Sequence, residues 1–201
     1  MPPTPPPGDE PPEPFELPRA PGAPDLTVDD NGVTFLIVSA GGPLTRTLFR
    51  LRAELDTGRR VAVVATPTAA AWFDHYDVAA TIEAMTGLPL RSRMPVPTEA
   101  TFEPPGCRLV VSPCSLNTLT KWAAGHSDNL AVSLLCEALG RGVPTAAEVS
   151  LSSAYVAHPA ATEALERLDG LGVELRRAIG GAEHPLLRPL PPAIAAALGG
   201  S

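Results

Sequence analysis

Cysteine is scarce in this chain. Cys107, Cys114 and Cys136 are odd in number and unrelated in spacing, which fits neither a disulfide framework nor a paired metal-ligand motif. A reducing cytoplasm is the expected setting, and no metal site is expected. Lysine occurs once, at Lys121, and 15 Lys and Arg face 22 Asp and Glu, for a net charge of −7. Without a basic stripe, a nucleic-acid partner is set aside. No apolar run reaches the roughly 18 residues of a spanning helix, and the N-terminus lacks the basic-then-apolar order of a signal peptide. Membrane spanning and secretion are therefore not expected. Aromatic residues make up only 4% of the 201 residues, against 44% hydrophobic. Such a chain is long enough to bury one core of ordinary size.

Proline is abundant but confined, with 11 of the 25 in the first 24 residues. Proline donates no backbone hydrogen bond and blocks helix, so this stretch reads as a solvated, polyproline-like extension. A ligand for a proline-binding groove is the other reading. Residues 1–30 also hold seven acids against one base, Arg19, so they carry −6 of the net charge. The expected organisation is a disordered acidic tail at 1–30 and one folded domain at 31–201.

From Gly32 the pattern changes. Residues 33–38 (VTFLIV) form a continuous apolar run of the kind buried on both sheet faces. The turn 39–42 (SAGG) follows, then Leu44, Leu48, Leu51 and Leu55 recur at helical spacing, with Arg46, Arg50, Arg52 and Glu54 between them. Residues 61–65 (VAVVA) make a second strand. This strand–helix–strand unit favours a right-handed crossover and a parallel sheet. Helix is expected over 68–85, and a short extended piece over 90–94. Further strands are expected at 109–112, 145–149 and 173–176, and helices at 117–124, 128–140, 159–171 and 191–198. The fold class is α/β, a doubly wound parallel sheet in a single domain.

In such sheets ligands sit beyond the carboxyl ends of the strands. Three segments reach that edge. Ser39-Ala40-Gly41-Gly42 lets backbone N–H groups approach an anion at a helix start, although a plain tight turn also explains it. Thr66-Pro67-Thr68 offers hydroxyls that either bind a phosphate or cap the next helix. The third segment, PCSLNTLTKWAAGHSDNL at 113–130, joins two unusual patterns at a defined separation.

That third stretch resembles the homo-oligomeric flavin-containing cysteine decarboxylase superfamily, where it reads approximately PASANTLAKIANGIADNL. The likeness extends upstream through VTFLIVSAGG and VAVVATPTAAAWF, in the family's order. It implies a flavodoxin-like or Rossmann-like fold, assembly as a homotrimer or multiple of trimers, and FMN bound between subunits. The family holds phosphopantothenoylcysteine decarboxylases, peptidyl-cysteine decarboxylases and flavin prenyltransferases. By the resemblance, Ala40, Gly41 and Gly42 surround the FMN phosphate. Thr66 contacts FMN with Thr68 as companion, and Ser115, Leu116, Asn117 and Thr118 form the flavin-contacting turn. Asp128 and Asn129 match the family's ADN signature, and Lys121 reads as a solvated helix residue.

The departures are equally specific. The family's catalytic histidine before the third strand has no counterpart in 99–107 (EATFEPPGC), where Glu99 takes its place. The PxMNxxMW clamp, whose asparagine grips the substrate carboxylate, aligns with 149–156 (VSLSSAYV), which puts Ser152 at the asparagine. The basic cluster of the prenyltransferases is missing, with Arg141 alone in its region. Ser152 and His75 are therefore the catalytic candidates, His75 as the substitute base at the edge of the site. His126 reads as a variant of the family's GIADN position, His158 as a turn residue before Pro159, and His184 as a residue without a motif. Cys114 reads either as a small buried residue or as a thiol made acidic by a helix start. Trp72, Phe73 and Tyr76 read as core, as interface or as a cover for a flavin ring. The expected activity is oxidative decarboxylation of a cysteine-containing small molecule or a peptide with a C-terminal cysteine. The alternatives are an FMN-binding subunit without catalysis and, third, flavin prenyl transfer.

Overall fold

The structure is a computed structural model, and it describes residues 32–94 and 107–197. The acidic proline-rich stretch and Glu99 lie outside the described residues. Five parallel strands form one sheet in the order β2-β1-β3-β4-β5. They are β1 (Val33–Val38), β2 (Arg60–Ala65), β3 (Arg108–Cys114), β4 (Thr145–Val149) and β5 (Glu174–Arg177). The order reverses between β1 and β3, the switch point of a flavodoxin-like sheet.

Helices cover both faces. On one side α1 (Leu44–Leu55), α2 (Pro67–His75) and α3 (Ala79–Thr86) pack on Leu36, Val38, Val63 and Val110, with Phe73 and Ile82 buried between. On the other, α4 (Leu116–Ala124), α5 (Leu130–Gly140) and α7 (Pro159–Gly170) cover Phe35, Ile37, Val111 and Ala147, with Trp122, Leu135 and Leu165 in the core. The Trp122 indole N–H donates to the Leu135 carbonyl at 3.1 Å, so the buried ring leaves no polar atom unpaired. α6 (Ser153–Val156) and α8 (Pro192–Ala197) are short.

Three expectations change. The helix expected over 68–85 is two helices, because Asp77 adopts φ +53 and terminates α2. There the Val78 N–H donates to the Phe73 carbonyl at 2.9 Å, closing a left-handed C-terminal turn. β3 runs on to Cys114 through a cis Ser112–Pro113 bond, and its register with β4 shifts between Val111 and Cys114. Pro113 donates nothing to a ladder, so it is tolerated at that irregularity. The extended piece over 90–94 reduces to one bridge, between Val64 and Arg91.

The largest departure is on α1. Its buried stripe is Thr47, Arg50, Leu51 and Glu54, one position round from the leucine stripe. Arg50 is 4% exposed and Glu54 2%. The sheet beneath answers them with polar groups. Arg50 pairs with Glu54 and with Glu148 of β4, each at 2.5 Å, and Arg108 of β3 reaches the other Glu54 oxygen at 2.5 Å. The Ser112 hydroxyl donates to Glu148 at 2.6 Å, and the Arg108 Nε–H to the Thr34 hydroxyl at 3.0 Å. Two cations and two anions thus cancel between α1 and the face of β3 and β4 beneath it.

Candidate functional site

A cleft of about 800 Å³ opens beyond the carboxyl ends of the strands. Its size falls within the roughly 300–1,000 Å³ of small-molecule and cofactor pockets. One side is built from the loop after β1, the start of α2 and the first turn of α4. The other is built from the start of α5 and from α6 and α7.

Each helix start is capped by its own residue. The Thr66 hydroxyl accepts from the Ala69 N–H at 3.3 Å, and Pro67 occupies the first position of α2, where its missing N–H costs nothing. At α4 the Ser115 hydroxyl accepts from the Thr118 N–H at 3.5 Å and donates to the Thr118 hydroxyl at 3.3 Å. The first-turn amides of Leu116 and Asn117 have no carbonyl four residues back within the helix, and both residues line the cleft, which leaves these donors open to a ligand there. The dipole of α4 adds a favourable field for an anion there.

A serine sets that turn. Ser39 is 3% exposed, and its hydroxyl donates to the Pro113 carbonyl at 2.8 Å and accepts from the Ser115 N–H at 2.8 Å. The loop after β1 is thereby tied to the loop after β3 across the switch point. Gly41 lies against this junction, where a Cβ would stand 3.4 Å from the Ser115 Cβ. A Cβ there would already be in van der Waals contact, so a side chain longer than alanine at 41 has little room beside the turn that carries the open amides.

The second wall depends on how α4 ends. Gly125 takes φ 76, and the His126 N–H returns to the Lys121 carbonyl at 2.9 Å. The chain therefore comes straight back to Asp128 and Asn129. Asn129 caps α5 by accepting from the Val132 N–H at 3.3 Å, and its own amide donates to Asp128 at 3.0 Å. Lys121 pairs with Asp128. Its hydrogen bond holds the Asp128 carboxyl below the usual carboxylate range. The one lysine of the chain is thus half-buried in the cleft wall and paired with an exposed carboxylate.

Of the cofactor residues expected from sequence, Ala40, Thr66, Thr68, Ser115, Leu116, Asn117 and Thr118 line one cleft. Gly41 and Gly42 sit behind Ala40, near Ser115 and Ser150 respectively. His75 is at the far end of α2, roughly 12 Å along the helix axis from its start, exposed and edge-on to Tyr76 with ring centroids 4.7 Å apart. Ser152 caps α6, accepting from the Tyr155 N–H at 3.3 Å, and lies outside the cleft lining. Phe73 is core, whereas Trp72 and Tyr76 are exposed on α2. Among the described residues no group of three or more His, Cys, Asp and Glu is placed to hold a metal ion. No helix is long and apolar enough to cross a membrane among them either.

Two wall residues were missed as site residues. Tyr155 and His158 both line the cleft, from α6 and the start of α7. The only signal for them is the VSLSSAYVAHP stretch itself, which reads as a lost clamp followed by a turn.

Cys114 resolves to its quieter reading. It is fully buried in the core under α4, and burial pushes its thiol up to about 12. Iodoacetamide at pH 8 should leave Cys114 unmodified in the native protein and alkylate it in urea, as read by peptide mass spectrometry. Rapid native labelling would contradict the buried neutral thiol.

Residues 26–182 match the family model described as Flavoprotein. No curated protein matches the chain significantly by sequence. Among solved structures, the FMN-dependent cysteine decarboxylase SpaF superposes with a TM-score of 0.59 at 21% identity, over 83% of this chain and 95% of that one. The apo form of DmrB from Burkholderia xenovorans, described as a cubic protein cage for redox transfer, gives 0.57 at 16%, over 76% and 91%. AnUbiX in complex with FMN and dimethylallyl pyrophosphate gives 0.54 at 14%, over 71% and 74%. At these identities the likeness is one of fold.

Proposed function

The chain belongs to the Flavoprotein family, and from that premise we propose that the cleft binds FMN and that the loaded protein oxidatively decarboxylates a thiol acid. The substrate is a cysteine-containing small molecule or a peptide ending in cysteine. One observation carries the cofactor reading: the open amides of Leu116 and Asn117 stand beside the hydroxyls of Thr66, Thr68, Ser115 and Thr118 at the β1/β3 switch point. Such a set holds a dianion without a free cation. Ala40 with Gly41 and Gly42 leaves room for backbone approach. When bound, FMN would take up the two electrons and the proton released as the thiol-bearing carbon becomes a thioaldehyde, a change that would let the neighbouring carboxylate leave as CO₂ and give an enethiol. The protein's part is to hold the phosphate end, orient the thiol acid and keep its carboxylate in place.

The visible spectrum tests the first half. A purified protein that is colourless and takes up no added FMN overturns the reading. Anaerobic incubation with peptides ending in cysteine should bleach the flavin and release CO₂. A yellow protein that no thiol acid bleaches favours the second reading, an FMN-binding subunit without catalysis. The position of Ser152 supports that alternative, since it spends its hydroxyl oxygen on capping α6 where the clamp asparagine would stand.

Asn117→Asp puts a negative charge on the first turn of α4, beside the proposed phosphate. FMN affinity should fall about tenfold, which is ~1.4 kcal/mol. Unchanged affinity by fluorescence titration would count against this placement. The exposed Trp72 and Tyr76 on α2 support a homo-oligomer built as a trimer or a multiple of trimers. Light scattering that finds a monomer at micromolar concentration rejects that assembly.

A further inference from the structure

The carboxyl end of β3 both completes the sheet beside β4 and launches the turn that opens α4. Between those two tasks the strand takes on one extra residue. From Val111 to Cys114 β3 advances three residues, while β4 advances two, from Ala147 to Val149. Ser112 and Pro113 therefore stand together opposite Glu148, as in a β-bulge. The extra residue changes which way the chain faces. Val111 and Cys114 both lie in the core under α4, with Ala147 and Val149. Strict alternation would have turned Cys114 to the α1 face and rolled the Ser115 turn with it. The bulge thus decides that this turn leaves the sheet on the cleft side.

A ladder that skips a residue loses hydrogen bonds there, and side chains take over the hold. The Ser112 hydroxyl, buried beneath α1, donates to one Glu148 oxygen at 2.6 Å. Arg50 holds the other Glu148 oxygen at 2.5 Å, so the carboxylate is fixed from both sides. On the β1 side the Pro113 carbonyl accepts from the Ser39 hydroxyl, which in turn accepts from the Ser115 N–H. Gly41 packs on the same bulge, its Cβ position 3.7 Å from the Pro113 Cβ. Beyond the bulge the ladder resumes, with the Ser150 N–H donating to the Cys114 carbonyl at 2.9 Å. None of Ser112, Pro113 and Glu148 lines the cleft.

Resting on the FMN reading, we infer that Ser112 and Glu148 are a positioning pair, whose hydrogen bond locks the bulge and so places the α4 amides for the phosphate they hold. The pair acts through the Ser115 turn and touches no part of the cofactor itself. Donors held in place before a ligand arrives need no ordering when it binds, and this is where such a lock contributes. An effect routed through these amides falls on the phosphate end alone. It therefore separates FMN from riboflavin, which has the same ring and ribityl chain but no phosphate.

The test titrates the full-length wild type, Ser112→Ala and Ser112→Thr with FMN and with riboflavin, read by flavin fluorescence. Alanine removes one oxygen and leaves both ion pairs of Arg50 in place, while threonine restores the hydroxyl. Ser112→Ala should bind FMN about tenfold more weakly than wild type and riboflavin equally well, with Ser112→Thr recovering most of the loss. An unchanged preference for FMN over riboflavin in Ser112→Ala overturns the inference. So does an equal loss of both ligands, because a general loosening does not tell them apart. Amide hydrogen exchange in the flavin-free proteins reads the lock itself. In Ser112→Ala the Ser115 N–H should exchange about tenfold faster relative to the amides of β1, which report opening of the whole sheet. A Ser115 N–H that keeps its wild-type rate, or speeds up only in step with β1, overturns the lock. A wild type that takes up neither flavin refutes the cofactor reading, and exchange at Ser115 in the same protein still decides whether Ser112 and Glu148 hold the turn.

Discussion

Arg50→Met is expected to lower the stability of the folded chain by about 3–5 kcal/mol, the usual cost of removing one partner from a buried ion pair. That is a large share of the roughly 5–15 kcal/mol by which a domain is stable. Arg50 holds Glu54 with one guanidinium nitrogen and Glu148 with another, each at 2.5 Å, and all three side chains are nearly inaccessible. With the arginine gone, Glu54 keeps Arg108, but Glu148 is left with the Ser112 hydroxyl alone. An anion remains buried against one neutral donor. Urea denaturation at fixed protein concentration should show a lower midpoint with an unchanged slope. The double variant Arg50→Met with Glu148→Gln should recover most of the loss, because Gln still accepts from Ser112 and no charge is stranded. If the double variant is as unstable as the single, the cost lies in lost packing rather than in the stranded carboxylate.

That network also marks where the sequence stops being informative. Arg50 and Glu54 sit between leucines at helical spacing, and by themselves they read as the wet side of α1. Their burial depends on Arg108, Ser112 and Glu148, which lie on strands some 54 to 98 residues away in the chain. No local pattern announces such a pairing. By contrast, α4 was legible because its signals are local: Ser115 before it, Gly125 after it, and Leu119 and Trp122 on its inner face. The strands were legible as continuous apolar runs because helices cover both faces of the sheet.

The site divides the same way. The α4 turn and the Thr66 turn were readable, since hydroxyl caps directly after apolar strands can stand only at the carboxyl edge. Tyr155 and His158 were not, because α6 is four residues long and buries none of them, so it leaves no stripe to read. Asp77 hid the break between α2 and α3 for another reason. A left-handed residue that is not glycine carries no unambiguous letter in the sequence.

Ser39→Ala is expected to reach the cofactor without touching it. The hydroxyl is buried at 3% exposure and serves two loops at once, as donor to the Pro113 carbonyl and acceptor for the Ser115 N–H. Alanine keeps the Ser39 N–H to Pro113 at 3.2 Å but leaves the Ser115 N–H without its acceptor. A stranded buried donor costs about 1–3 kcal/mol, and the part-buried Ser115 N–H falls toward the low end of that range. Part of that cost is relieved if the Ser115 turn shifts, which moves the amides of Leu116 and Asn117 relative to Thr66 across the switch point. Preorganised donors lose most of their value once their spacing is no longer fixed. FMN affinity should therefore fall by about tenfold or more, on the scale of ~1.4 kcal/mol per decade, together with a lower urea midpoint. Glu166→Gln, on the exposed side of α7, should change neither. The decisive result is the pairing of the two losses. If Ser39→Ala is destabilised yet binds FMN like the wild type, the open amides of α4 are not what holds the phosphate, and the anion end of the cleft must be sought at Thr66 and Thr68 instead.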